Sequence, residues 1–221
     1  MHLYFEIVSI FSTLLALVFG IISIKFHDKA FRLIFFHVLI SFIAEIAGGY
    51  LLLLHYNNSL LFNIYILINT SILSVAGIVF ISNRKISIPV ISTLILWFGV
   101  WLIKLLNSPI GHFSNNSFIS GSTFLVLLYV IVLVKFINSN KQMSANLQAY
   151  LICIAVLLYY SGTIPTFGLL DYLMDHYPSI ARNLFLINYS LSIFYYAILS
   201  YAFYLYIPKK SPDKMINNAA V

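Results

Sequence analysis

Glu45 is the residue of this chain whose chemistry asks for an explanation. It sits near the middle of FFHVLISFIAEIAGGYLLLL, an apolar run long enough to cross a bilayer. A carboxylate at that depth costs about 2.5–3.5 kcal/mol on insertion scales, so it is neutral, paired or used. His37, Ser41, Glu45 and Gly48 follow one another at intervals of four, four and three residues. Helical neighbours lie three and four apart, so these four share one stripe. Ala44 and Gly48 make a small-xxx-small pair, which lets a neighbouring helix approach closely. The stripe is expected to face a bundle interior, with Glu45 at mid-depth and His37 nearer the cytoplasm. His37 by itself reads as a satisfied buried or interfacial histidine.

Further polar residues recur inside other apolar runs. The third run carries Asn63, Asn69, Thr70, Ser71 and Ser74. The sixth carries Tyr159, Tyr160, Ser161 and Thr163, then Pro165, which is expected to kink it. The seventh carries Asn188, Tyr189, Ser192, Tyr196 and Ser200. Compared by depth, Glu45, Asn69, Tyr160, Thr163, Asn188 and Tyr189 fall in the outer half of a bundle, and with Ser41 from the stripe they form a candidate ligand-binding set. Two readings of Glu45 stay open. In one, the leading expectation, it is neutral and hydrogen-bonded, tying its helix to Asn69 or Tyr160. In the other it contacts a ligand or exchanges a proton.

Catalytic chemistry is poorly served. No nucleophile, second carboxylate or metal set lies at a working spacing from Glu45. An enzyme is the weaker reading, and no catalytic residue, metal ligand or cofactor is assigned. Cys153 is the only cysteine, so no internal disulfide or cysteine metal site can form. The six histidines are scattered without ligand spacing. Asp171, Asp175 and His176 fall in DYLMDHYPSIARN, which reads as a solvated outer loop. Trp97 and Trp101, one turn apart, read as lipid-facing or packing residues. Glu6 and Lys104 lie near the outer ends of their runs, where long side chains reach the interface and could pair.

The elements that must position these groups follow from composition. The chain has 221 residues, 62% of them hydrophobic and 8% charged. Soluble domains carry about 25% charged residues, so the solvent here is lipid. Seven runs are long enough for about 30 Å of hydrocarbon: approximately 3–24, 33–54, 60–82, 86–106, 118–137, 148–170 and 184–207. The first lacks the basic n-region and cleavage site of a signal peptide. Backbone in lipid must satisfy its own hydrogen bonds, which selects helices. The expected fold is an all-α membrane protein, a seven transmembrane helix bundle over 1–207 with a short polar tail at 208–221.

Ten of the twelve Lys and Arg fall in alternate connections and the tail, and only Lys104 and Arg182 fall in the others. The positive-inside rule then places the N-terminus outside and the C-terminus in the cytoplasm. No basic face suits nucleic acid. The bilayer is the first partner, and a signalling or complex partner or a homo-oligomer remains open. A retinal Schiff base needs a Lys in the seventh run, which has none, and the zinc amidohydrolases need a His there, also missing. The chain has no Pro-Gln pair and no Asp-Arg-Tyr.

The segments FFHVLISFIAEIAGGYLL, LFNIYILINT, AYLICIAVLLYYSG and NYSLSIFYYAILSYAF resemble those of small seven-span membrane proteins common in Bacteroidota. In that family the third span reads close to LYNIYTLIEF and the second carries a Glu. Glu45 falls on that acid, and Asn63, Ile64 and Tyr65 fall on the Asn-Ile-Tyr. Asn69 stands where the family has a second acid, so a two-carboxylate mechanism is not implied. The resemblance implies a multi-pass protein of the bacterial inner membrane and no particular activity. The leading functional reading is a ligand-binding or sensory module acting with a partner. The alternatives are a transporter or oligomeric pore with Glu45 as titrating or gating acid, and a structural subunit of a membrane complex.

Overall fold

The computed structural model describes residues 2–107, 113–138 and 147–207, and within them all side chains but those of His2, Leu3, Glu6 and Arg182. The tail at 208–221, Lys141, the pairing of Glu6 with Lys104 and the side chain of Arg182 lie outside that description. Seven helices long and apolar enough to cross a membrane make up the described chain, which has no strand. They are α1 (His2–Ser23), α2 (Lys29–Leu53), α3 (Ser59–Ile81), α4 (Arg84–Asn107), α5 (Asn115–Asn138), α6 (Leu147–His176) and α7 (Pro178–Tyr204).

Local chemistry sets several boundaries. Asp28 caps α2 by accepting from the Phe31 amide at 3.0 Å, satisfying one orphan donor of the first turn. Ser82 closes α3 in the left-handed region, with φ 48°, and Pro178 opens α7 in its first turn, where its missing N–H is no loss. Lys135 of α5 donates its ammonium to the carbonyls of Phe80 and Ile81. A cation there satisfies the open carbonyls at the end of α3 and complements its dipole.

The connection between α6 and α7 corrects the sequence reading. DYLMDHYPSIARN is not a loop: α6 runs through Pro165 to His176, and α7 begins at Pro178. Asp171 is on helix, accepting from Asn115 of α5 at 2.5 Å. His176 bonds its own helix at the Tyr172 carbonyl and stacks on the Tyr172 ring at 4.5 Å. The apolar run marks only the lipid-matched part of α6. The helix continues because its last polar residues find partners on α5 and on itself.

Packing neighbours close a ring in the order α1, α2, α3, α5, α6, α7 and back to α1. Helix α4 stands outside it, against α3 and weakly against α5. Its one buried hydrophobic side chain is Trp101, 4% exposed, while Trp97 is half-buried and donates to Ser120 Oγ at 3.0 Å. Large apolar side chains point outward on every helix, as a lipid solvent requires. Lipid is as apolar as Leu, so close contact and interhelical hydrogen bonds, rather than hydrophobicity, hold helices together. Gly48 lets α3 approach α2: a Cβ there would stand 2.8 Å from Phe62 Cζ. Ala44, a turn earlier, is buried on the same side.

At the end of the bundle where α1 meets α2, His27 is buried and stacks on Phe203 of α7 at 5.2 Å. Ser23 Oγ donates to the Phe19 carbonyl at 2.7 Å, so its 2.8 Å contact takes a proton from His27 Nε2. Burial, aided by Arg32 and opposed by Asp28, lowers the His27 pKa from 6.5 to about 4. The unfolded chain therefore binds the proton more readily than the folded one. Stability contributed by neutral His27 is full above pH ~6.5 and is lost progressively as pH falls to ~4. Thermal unfolding of His27→Phe is expected to lose that slope relative to the unaltered chain, a difference of about 1–3 kcal/mol by pH 4. Equal slopes in the two proteins would show that His27 is not buried neutral.

Candidate functional site

Side chains fill the interior of the six-helix ring, the buried tyrosines Tyr129, Tyr160, Tyr195 and Tyr196 among them. His37 of α2 is 1% exposed and reaches two helices at once. Its Nδ1 bonds Asn69 Oδ1 of α3, and its Nε2 bonds the hydroxyl of Tyr195 on α7 at 2.7 Å. Asn69 Nδ2 donates to the Tyr160 hydroxyl of α6 at 2.6 Å. The amide orientation assigns the imidazole: Oδ1 can only accept, so Nδ1 carries the proton and Nε2 accepts from Tyr195. A neutral His37 thus satisfies every group it touches and adds no charge at that point of the interior, where charge is costly.

A second strand of bonds starts one turn along α2. Ser41 Oγ donates to the His37 carbonyl at 2.9 Å. A hydroxyl has one proton, so its 2.9 Å contact with Tyr65 of α3 is accepted from the phenol. Tyr65 is also hydrogen-bonded to Tyr196 of α7. Tyr195 and Tyr196, adjacent in sequence, therefore serve the two strands separately. The rings stack the arrangement further: Tyr159 lies 5.0 Å from both Tyr160 and Tyr195.

Glu45 is one turn beyond Ser41 and half-buried. Its carboxylate lies within electrostatic reach of Tyr65, Tyr159 and Tyr196. His37 and Glu45 are both eight residues from an end of α2, at Lys29 and Leu53 respectively. Each is about 12 Å deep at 1.5 Å per residue, so they bracket the middle of the helix. The side chains of His37, Asn69, Tyr160 and Tyr195 are buried and hydrogen-bonded, whereas Glu45, Tyr65, Tyr159, Asn188 and Tyr189 are half-buried.

No protein-family model, curated protein or solved structure matches this chain.

Its site is therefore read from geometry. Of the seven residues singled out in the sequence, Ser41, Asn69 and Tyr160 enter the bonded network. Asn69 bonds both His37 and Tyr160, so Tyr160 reaches His37 only through that amide. Thr163 is buried but donates to the Tyr160 carbonyl of its own helix at 3.1 Å. Asn188 and Tyr189 are half-buried on α7, about 10 Å along the axis from Tyr195. The stripe of His37, Ser41 and Gly48 is buried. His37 is more than a satisfied core histidine, since it joins three helices. Tyr195, its partner 158 residues away, carries no local signal, because a tyrosine in a Tyr-Tyr pair points outward as often as inward. Among the described residues, no group of three or more His, Cys, Asp or Glu converges.

Proposed function

We propose that this chain is a ligand-binding or sensory membrane protein whose ligand enters the half of the lumen lined by Glu45. It sits in a bacterial inner membrane, with the N-terminus outside and the basic helix ends in the cytoplasm, and signals through a partner. The supporting observation is the placement of the Glu45 carboxyl group, half-buried at mid-helix, beside Tyr65, Tyr159 and Tyr196. A carboxylate beside Tyr65, Tyr159 and Tyr196 favours a ligand carrying an ammonium or another N–H donor, through ionic and aromatic contact. Binding there would act on Tyr65 and Tyr196, whose bonds run to Ser41 and so to the His37 bridge. That gives the ligand a physical route to the packing of α2, α3 and α7.

Thermal-shift screening of purified protein against amine, amino acid, carboxylate and sugar classes tests this. At a ligand concentration 100 times Kd, stabilisation is about 2.7 kcal/mol. We expect an amine-bearing class to raise the melting temperature of the unaltered chain and to lose most of that effect in Glu45→Gln. If no class stabilises either protein, the ligand-binding reading fails. The hydrogen-bonded bridge across the lumen also supports a second reading, a transporter in which His37 and Tyr195 form the closed gate. Liposome flux abolished by Glu45→Gln would favour it.

A further inference from the structure

At the basic end of the bundle, a cavity of about 370 Å³ opens between α2, α3, α5 and α6, and Glu45 is not among its lining residues. Its walls are aromatic: Phe31, Phe80, Phe136 and Tyr206 line it, with Asp28, Lys29 and Gln148 among the polar lining groups. Phe80 touches both Phe31 and Phe136, with ring centroids 5.9 and 5.8 Å apart. The cavity lies at the first turn of α2 and of α6 and the last of α3 and α5. That is the depth at which a membrane helix meets lipid headgroups.

We propose that this cavity holds the headgroup of an anionic phospholipid, with the acyl chains leaving along the aromatic wall. Charge decides the class. Six described cations lie at this end, Lys25, Lys29, Arg32, Arg84, Lys85 and Lys135; of these Lys29 lines the cavity, as does the single described carboxylate at this end, that of Asp28. That carboxylate is occupied by the Phe31 amide and by a hydrogen bond with Tyr206. Lys135 sits on the Phe80 and Ile81 carbonyls, which cancels the negative end of α3 that would otherwise repel a phosphate. Lys29 is exposed at the cavity and is the cation left to meet the ligand. Basic pockets between membrane helices bind anionic headgroups by this chemistry. Gln148 can add a neutral hydrogen bond.

Lipid retained by the purified full chain, measured by native mass spectrometry, tests the site with phosphatidylglycerol and phosphatidylcholine of matched acyl chains. One basic residue near an anionic surface is worth about fivefold in affinity. The unaltered chain is expected to favour phosphatidylglycerol by about that factor, and Lys29→Gln to lose the preference. Lys25→Gln, at the same end but outside the cavity lining, should keep it, as should Glu45→Gln. The last control separates this site from the lumen proposed above. Equal retention of the two lipids by the unaltered chain would overturn the proposal. So would an equal loss in Lys25→Gln, which would reduce the effect to surface charge. Free glycerol 3-phosphate competing as well as the lipid would make this a soluble-anion site and overturn the lipid assignment.

Discussion

Replacing His37 with Ala destabilises the bundle by about 2–4 kcal/mol. The imidazole is buried and bonds two helices. Its removal leaves Asn69 Oδ1 and the Tyr195 hydroxyl without those bonds in a dry interior, where an unmet polar group costs about 1–3 kcal/mol. Single interhelical bonds in membranes average only about 0.6 kcal/mol, so the figure rests on losing two bonds and opening a void together. Unfolding of purified protein by graded denaturing detergent measures it. His37→Gln, which keeps an amide donor and acceptor, should recover part of the loss. A double-mutant cycle with Asn69→Ala should show coupling of about 1 kcal/mol, because the two substitutions remove one shared bond. A cost below about 0.5 kcal/mol for His37→Ala would mean the bridge does not hold the lumen shut.

Gly77→Leu is expected to be similarly severe for a steric reason. A Cβ at Gly77 would stand 2.8 Å from Leu128 Cδ2, across the α3–α5 contact. Leu128 is only 2% exposed and has little room to turn away. Overpacking of this kind costs about 1–3 kcal/mol, and a whole Leu side chain belongs at the top of that range. The same contact positions Tyr129, whose hydroxyl donates to the Leu73 carbonyl of α3 at 3.1 Å. Leu128→Ala should relieve part of the strain, so the double variant should unfold less readily than the sum of the singles predicts. Strict additivity in the same detergent titration would show that the two helices are not in tight contact there.

Helical spacing on α2 was enough to put His37, Ser41, Glu45 and Gly48 on one stripe, because one helix face repeats every three to four residues; three of them are buried and Glu45 is half-buried. The same rule could not rank the polar residues of the other helices. Asn69 and Thr163 look alike in sequence, yet one bridges helices and the other bonds its own backbone. Asp171 and His176 looked like loop residues because a hydrophobic run ends before them, although the helix does not. Asn69 and Asp171 are settled by partners 91 and 56 residues away, while Thr163 and His176 bond carbonyls one turn back on their own helix.

Composition and run length by themselves determined that this chain is built from seven membrane-length helices, since apolar runs of about 20 residues have no other stable form in lipid. Only the tertiary structure decided that six helices close a ring with α4 outside it. It alone paired His37 with Tyr195 and Asn69 with Tyr160, and set Glu45 against Tyr65, Tyr159 and Tyr196. The physical reason is that spanning a membrane is a property of each helix alone. The lumen is a property of which helices meet, and that depends on glycine contacts and single hydrogen bonds too small to mark the sequence.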